Sequence, residues 1–170
     1  DLACLFIRTA IYKEVGGLDA GFFAHQEEID MCWRLRSRGY RLVCTPQSVV
    51  YHVGGATLNV ESSRKTFLNF RNNLLMLYKN LPEKDLRHVM RVRFWLDYIA
   101  ATKFLLCGHF PNAKAVYEAR KAFFEMKPEY AAKRRENLNK TTLTDIPELM
   151  RQSLIVAFYL KGRKKFTDLK

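Results

Sequence analysis

The sequence predicts an α/β fold, in which a partial domain of short strands with packed helices is followed by a mostly α-helical C-terminal extension. Two observations lead to this prediction. Short apolar runs alternate with helical spacing up to about residue 63, and from Arg64 onward apolar residues recur every three or four positions. The charge changes at the same point, because residues 1–63 carry six Lys/Arg against seven Asp/Glu, whereas residues 64–170 carry 23 against 10.

The first predicted region, residues 1–63, combines three strands with two helices. Residues 2–7 form a continuous apolar run of strand length, which is typical of a strand buried on both faces. The two helical segments, 9–15 and 26–39, each end at glycine, which readily adopts the left-handed conformation of a helix C-terminus. This order of elements indicates a sheet with helices packed on it. The predicted strands are residues 2–7, 41–44 and 48–51.

The extension is predicted to contain a helical region, 64–128, and then a polar linker, a short helix and a basic tail in 129–170. Pro111 and Pro128 mark the limits of its third helix, because proline interrupts helical hydrogen bonding. Residues 129–145 are polar and are predicted to form a loose linker. The predicted helices begin near residue 64 and then cover 83–107, 112–126 and 147–160.

The four cysteines contain no C-x-x-C pair, so a zinc site with closely spaced ligands is not expected. Each cysteine has apolar sequence neighbours, which predicts buried free thiols in a reducing compartment. They are Cys4, Cys32, Cys44 and Cys107.

Three carboxylates within four residues open the second predicted helix: Glu27, Glu28 and Asp30. The positive end of a helix dipole favours acids, so one interpretation is stabilisation of the helix terminus. The other is a general base, because crowding raises the pKa of one carboxylate and lets it accept a proton. Composition alone favours the helix-terminus interpretation.

His52 lies between a predicted strand end and the Gly54-Gly55 pair, where a flexible backbone lets a ligand approach. It is a candidate metal ligand, with an ordinary loop histidine as the alternative. No Asp-x-Asp occurs among the 170 residues. One imidazole without carboxylate partners does not hold Mg²⁺ or Mn²⁺ well, because these cations require several oxygen ligands.

Six segments have a recognisable order and spacing: Cys4–Arg8, Val15–Asp19, Phe22–Phe23, Glu27–Leu35, Gly39–Tyr40 and Tyr51–Gly55. Together they resemble the C-terminal, acceptor-side half of a family 2 glycosyltransferase, over about residues 1–80. Enzymes of that family have the GT-A fold and transfer a sugar, with inversion, from a nucleotide-sugar to an acceptor hydroxyl. The resemblance implies that this chain is a fragment without the nucleotide-binding half, joined to a helical extension and inactive by itself.

The resemblance also implies roles for individual residues. Glu27 and Glu28 fall on the acidic pair of the family, with Glu28 in the position of the catalytic base and Asp30 as the alternative. His52 falls where some members supply a ligand to a divalent cation, Mg²⁺ or Mn²⁺. The residues expected on the acceptor side are Phe23, Trp33 and Arg34.

A cellular setting follows from the same resemblance. The expected partners are a nucleotide-sugar donor and a sugar or lipid-linked acceptor, in the synthesis of bacterial surface polysaccharide or glycolipid. The expected location is cytoplasmic, peripheral on the inner face of the plasma membrane.

Residues 91–107 place large apolar side chains within one helical arc, with Asp97 and Lys103 outside it. Aromatic residues beside Arg and Lys are typical of an interfacial membrane helix, and the basic charge of this half favours an anionic membrane surface. A helix facing the core is the alternative. A non-catalytic basic module that binds anionic membrane or nucleic acid also stays open, although the sequence contains no recognised nucleic-acid reader motif. The arc comprises Phe94, Trp95, Tyr98, Ile99, Leu105 and Leu106.

Overall fold

The computed structural model describes residues 4–51, 62–150, 154–159 and 161–169. Its regular structure is helical, and these residues contain no β-strand. The predicted α/β, GT-A-like fold class is therefore wrong for the described part of this chain. The α-helices are α1 (Thr9–Glu14), α2 (Glu27–Ser37), α3 (Ser63–Asn80), α4 (Glu83–Leu106), α5 (Phe110–Asn139) and α6 (Leu154–Tyr159), with 3₁₀ turns at Ala20–Phe22 and Phe166–Leu169.

The described residues of the segments predicted as strands, which are 4–7, 41–44 and 48–51, have no regular structure. Phe6 is 92% exposed and Tyr51 is 95% exposed, whereas Leu5 and Ile7 are partly buried, so the first run is not buried on both faces. A buried strand needs neighbours on both sides to bond its backbone N–H and C=O groups. An apolar run signals the preference for burial but does not supply those neighbours, and the described residues contain none.

The main core lies between α3 and α5. Leu74, Leu75 and Met76 of α3 pack against Phe123 and Tyr130 of α5. Phe22, from the turn before α2, completes this cluster and stacks on Tyr130 with ring centroids 6.2 Å apart. A smaller cluster formed by Val15, Met31 and Leu35 packs α1 and α2 together.

Helix α5 continues through Pro128 to Asn139, so the helix end predicted at residue 126 and the loose linker predicted after it are wrong. Proline removes one helical hydrogen bond, but the following turns are held by tertiary contacts. Tyr130 is fully buried, and Arg134 donates hydrogen bonds to the carbonyls of Tyr78 and Leu81 at the end of α3. Packing against α3 therefore outweighs the local effect of the proline.

Two smaller predictions are also corrected. The last helix is described over Leu154–Tyr159, and its predicted start at residue 147 is wrong because residues 147–150 are not helical. Cys4, Cys44 and Cys107 are exposed and Cys32 is partly exposed, so the thiols are not buried. Val43 beside Cys44 and Leu106 beside Cys107 are themselves exposed, so apolar sequence neighbours gave a false indication of burial there.

Helices α4 and α5 are joined through a buried carboxylate. Asp97 of α4 has no exposed surface and accepts hydrogen bonds from Arg93 and from Arg120 of α5, the latter at 2.8 Å. Burial raises the pKa of Asp97, while the two guanidinium groups act in the opposite direction. Because Asp97 faces inward, the predicted apolar arc of α4 faces outward, and the core-facing alternative is wrong. Among the described residues, no helix is long and apolar enough to cross a membrane.

The contact between Gly21 and Tyr130 gives a test of this packing. A Cβ atom at Gly21 would lie 2.5 Å from the Tyr130 hydroxyl, so Gly21→Ala is expected to destabilise the fold by about 1–3 kcal/mol. That hydroxyl is buried and has no hydrogen-bond partner in the described part of the chain, so Tyr130→Phe is expected to be nearly neutral. The double variant should recover much of the loss in a urea melt. Additive effects would contradict this packing.

Candidate functional site

The segment Phe22–Glu28, which we call the acidic loop, leads into α2 with an unusual backbone. Phe23, His25 and Gln26 have φ angles of 64°, 68° and 74°. Side chains other than glycine rarely adopt these conformations, and each costs on the order of 1–3 kcal/mol. Such conformations persist only where surrounding contacts hold them, and they concentrate at functional sites.

The contacts that hold the acidic loop come from α3. The Asn72 side-chain amide donates to the carbonyls of Phe22, Ala24 and His25 at 2.9, 2.7 and 2.9 Å. Neighbouring Arg71 donates to the carbonyl of Phe22 at 3.2 Å. Because Asn72 is fully buried, this clamp is fixed relative to the core. The unusual backbone conformation of the acidic loop is therefore stabilised by tertiary hydrogen bonds from α3.

The clamped loop presents an acidic pair together with an imidazole. Glu27 Oε2, Glu28 Oε2 and His25 Nε2 are buried atoms that have no hydrogen-bond partner within the described residues. Burial raises the pKa of Glu27, and the adjacent Glu28 charge adds to the rise against the opposing effect of a backbone hydrogen bond. Polar atoms left without partners are costly in a core, and they mark places where a ligand can bind. The pair therefore combines unpartnered carboxylate oxygens with a raised pKa at Glu27.

Asp30, the third carboxylate of the cluster, lies in a different environment. It is fully buried and accepts hydrogen bonds from Arg34 at 2.9 Å, Lys79 at 3.0 Å and Asn80 at 2.8 Å. All of these donors belong to the core of the protein. Asp30 is therefore bonded on both carboxylate oxygens, whereas the acidic pair is not.

The three residues expected on the acceptor side differ in their exposure to solvent. Arg34 is buried and donates to Asp30 and to the carbonyls of Val15 and Gly17, which fixes the turn after α1. Trp33 is partly buried and packs beside the main core. Phe23 lies on the acidic loop, is 68% exposed and has the Arg64 guanidinium 5.2 Å from its ring centre.

An ion network lies next to the acidic loop and links α2, α3 and α5. Its members are Asp19, Asp30, Arg34, Lys79 and Lys133. The Lys79 ammonium bridges the carboxylates of Asp19 and Asp30 at 2.7 and 3.0 Å. Lys133 of α5 adds a second contact to Asp19 at 3.0 Å. Sequence reasoning missed the supporting residues of α3 and α5 because no local pattern marks them, and their contacts join positions 47–114 residues apart.

The network predicts a stability change in acid. Burial alone would raise the pKa of Asp19, but the hydrogen bonds and charges of Lys79 and Lys133 outweigh it and lower the pKa to about 2. The stabilisation is complete above the ordinary pKa near 3.8 and is lost as the pH falls towards 2. We expect about 2 kcal/mol of stability to disappear across this window. Urea melts of wild type and Asp19→Asn at pH 5 and pH 2.5 measure it, and an equal loss in both proteins would contradict the assignment.

A metal site is not formed by the described residues, which contain no group of three His, Cys, Asp or Glu side chains able to hold an ion. His52, the predicted metal ligand, lies outside the described residues. The Mg²⁺ or Mn²⁺ cofactor and the role of His52 therefore stay predictions from the family resemblance, and no chemical step is derived through them.

Comparison with known proteins gives partial likenesses to proteins named for glycan and O-antigen biosynthesis. The low-salt glycan biosynthesis hexosyltransferase Agl10 of Haloferax volcanii is 28% identical over 74 residues, which are 43% of this chain and 24% of that protein. The O-antigen biosynthesis protein RfbC of Myxococcus xanthus is 24% identical over 98 residues, which are 58% of this chain and 6% of that protein.

A third likeness is to the uncharacterized protein y4gI of Sinorhizobium fredii, which is 33% identical over 73 residues, or 42% of this chain and 8% of that protein. The chain thus spans a quarter or less of each of these relatives. No family model and no solved structure matches the chain.

Proposed function

We propose that this chain is the acceptor-side part of a family 2 glycosyltransferase, which transfers a sugar from a nucleotide-sugar donor to an acceptor hydroxyl with inversion. The observation that carries the proposal is the acidic pair, Glu27 and Glu28, whose unpartnered carboxylate oxygens are held at the end of a strained and clamped loop. The partial likeness to a hexosyltransferase and an O-antigen biosynthesis protein supports it. The nucleotide-binding part of the enzyme is not among the described residues.

In the proposed mechanism, Glu28 is the general base. Its carboxylate takes the proton of the acceptor hydroxyl while the acceptor oxygen attacks the anomeric carbon of the donor sugar. The bond from that carbon to the nucleoside diphosphate breaks, and the leaving group departs with the electron pair. Attack from the side opposite the leaving group inverts the anomeric configuration.

Glu27 has a supporting role in this mechanism. Burial raises the pKa of Glu27, and the adjacent charge of Glu28 adds to that rise. A carboxyl group with a raised pKa holds its proton more readily, so Glu27 is less suited to the role of base, and the choice of Glu28 rests on its position in the family resemblance. Asp30 is less suited to the role, because its oxygens already accept hydrogen bonds from buried core residues.

Phe23 is the proposed acceptor contact nearest to the acidic pair. Its ring is exposed on the acidic loop, where it offers a flat apolar face to a sugar ring. The acceptor is a sugar or a lipid-linked sugar of bacterial surface polysaccharide or glycolipid synthesis, and the enzyme works at the cytoplasmic side of the membrane. These features of the setting rest on the family resemblance.

A transfer assay of the complete protein tests the proposal. Purified protein is incubated with individual nucleotide-sugars and simple glycosides, and released nucleoside diphosphate is measured. The anomeric configuration of the product is then read by NMR, and inversion is expected. Transfer with retention of configuration, or no transfer from any common nucleotide-sugar, would overturn the proposal.

A further inference from the structure

The α4–α5 hairpin carries a broad apolar surface that the described residues leave uncovered. Nine large side chains on these helices are between 40% and 84% exposed. Monomeric proteins rarely expose contiguous apolar surface of this extent unless it binds something. We call this surface the aromatic platform, and its members are Phe94, Trp95, Tyr98, Ile99, Leu105, Leu106, Phe110, Tyr117 and Phe124.

The platform extends across both helices. Phe94 and Tyr98 of α4 line a groove of about 460 Å³ together with Tyr117 and Phe124 of α5. The rings of Phe94 and Tyr98 lie 4.8 Å apart, and the Arg120 guanidinium lies 5.0 Å from the Phe94 ring. These contacts hold the aromatic side chains in place on a rigid support.

The spacing of α5 explains why its side chains join this surface. Phe110, Tyr117 and Phe124 are seven residues apart, which is close to two helical turns and keeps them on one side of α5. On α4 the inward orientation of Asp97 turns the apolar arc towards solvent. The two-helix surface is therefore wider than the single arc that the sequence of α4 indicates.

Exposed cations lie on the same two helices as the platform, together with Glu118 and Glu125. Arg87, Arg91 and Lys103 lie on α4, and Lys114 and Lys121 lie on α5. The α5 lysines pair with glutamates only at the surface, at 3.5 and 3.9 Å, and such pairs contribute little. Aromatic and aliphatic side chains within a frame of Lys and Arg have the composition of an interfacial membrane-binding surface.

We propose that the aromatic platform binds the surface of an anionic lipid membrane, with its rings inserted at the interface and its cations on the lipid headgroups. Charge complementarity selects this occupant. Arg87, Arg91 and Lys103 of α4 form no ion pair among the described residues, so they are available to the headgroups of an anionic bilayer. An anionic bilayer attracts the same cations, each by roughly fivefold in affinity.

Vesicle flotation of the complete protein tests this inference. Vesicles of phosphatidylglycerol and phosphatidylcholine at equal amounts are expected to bind the protein in low salt and release most of it in 0.5 M NaCl. Pure phosphatidylcholine should bind much less.

Tryptophan fluorescence gives a second measurement of binding. The chain has two tryptophans, Trp33 and Trp95, and Trp95 emission is expected to shift to the blue on binding. Trp95→Phe should abolish the shift and keep most of the binding.

Matched variants separate the platform from general charge. Arg91→Glu with Lys121→Glu is expected to weaken binding roughly 30-fold or more, and both side chains are exposed, so folding should be retained in a thermal melt. Lys13→Glu, an exposed charge reversal on α1, should bind almost as wild type. Equal losses in the platform and control variants would overturn the inference.

Three other outcomes would also overturn it. These are absence of flotation by the folded wild-type protein, a platform-dependent dimer in sedimentation that excludes vesicle binding, and preference for duplex DNA over anionic vesicles at equal salt. The inference goes beyond the proposed sugar transfer and uses no activity measurement, so the two can fail separately.

Discussion

Glu28→Gln in the complete protein is expected to lower sugar transfer by roughly 10²–10⁴-fold, because general-base catalysis contributes about that much. The amide keeps the shape of the side chain but cannot accept the acceptor proton. Binding of the nucleotide-sugar should change little, since the donor is held by other parts of the enzyme. Initial rates under saturating donor and acceptor, with donor affinity from calorimetry, provide the measurement.

Two parallel variants locate the base within the acidic pair. Glu27→Gln is expected to lower the rate less than Glu28→Gln, because Glu27 acts through its neighbour. Glu118→Gln makes the same chemical change in an exposed helical pair on α5 and should leave the rate unchanged. A normal rate in Glu28→Gln with a severe loss in Glu27→Gln would move the base to Glu27.

Asp30→Ala is expected to destabilise the protein by about 3–5 kcal/mol, because it leaves the buried cations of Arg34 and Lys79 without a shared carboxylate. For a chain of this length the melting temperature should fall by roughly 6–20 °C. Lys79 keeps its contact with Asp19, which limits the loss. Thermal and urea melts of the purified variant measure both quantities.

The Asp30 result also bears on catalysis. Glu118→Gln again serves as the control, since an exposed ion pair contributes about 0–1 kcal/mol. If Asp30→Ala melted like wild type and yet lost transfer completely, the ion network would have no structural role and Asp30 would become the base. We expect instead that Asp30→Ala lowers the melting temperature, and that any loss of transfer follows from this loss of stability.

Helices α1 to α4 could be predicted from sequence because their signals are local. Apolar spacing marks their faces, and the glycines after α1 and α2 end them in left-handed conformations. The end of α5 could not be predicted, because Pro128 is a local signal that long-range contacts of Tyr130 and Arg134 override. The strand predictions were wrong for a related reason. An apolar run does not specify which other segment of the chain will pair with it or cover it.

Some residues of the candidate site could also be predicted from sequence, and others could not. The acidic pair is visible in sequence as adjacent glutamates at a helix start, although its catalytic role stays a prediction. The Asn72 clamp is not visible, because its carbonyl partners lie 47–50 residues earlier and no local pattern marks the residue. The same limit applies to Lys79, whose importance depends on two carboxylates from separate elements.

The ion network joins residues that the ribosome produces far apart in time. Asp19 contacts Lys133, 114 residues later, and at about 5–20 residues per second that interval is roughly 6–23 seconds. During it, Asp19 lacks its contact with Lys133, although Lys79 has already been made. We expect nascent chains stalled before α5 to remain protease-sensitive across residues 4–51, and full-length chains to resist; early resistance would contradict this order. A chain cut short before α5 therefore carries the acidic loop and its α3 contacts without the α5 half of the core that packs against them.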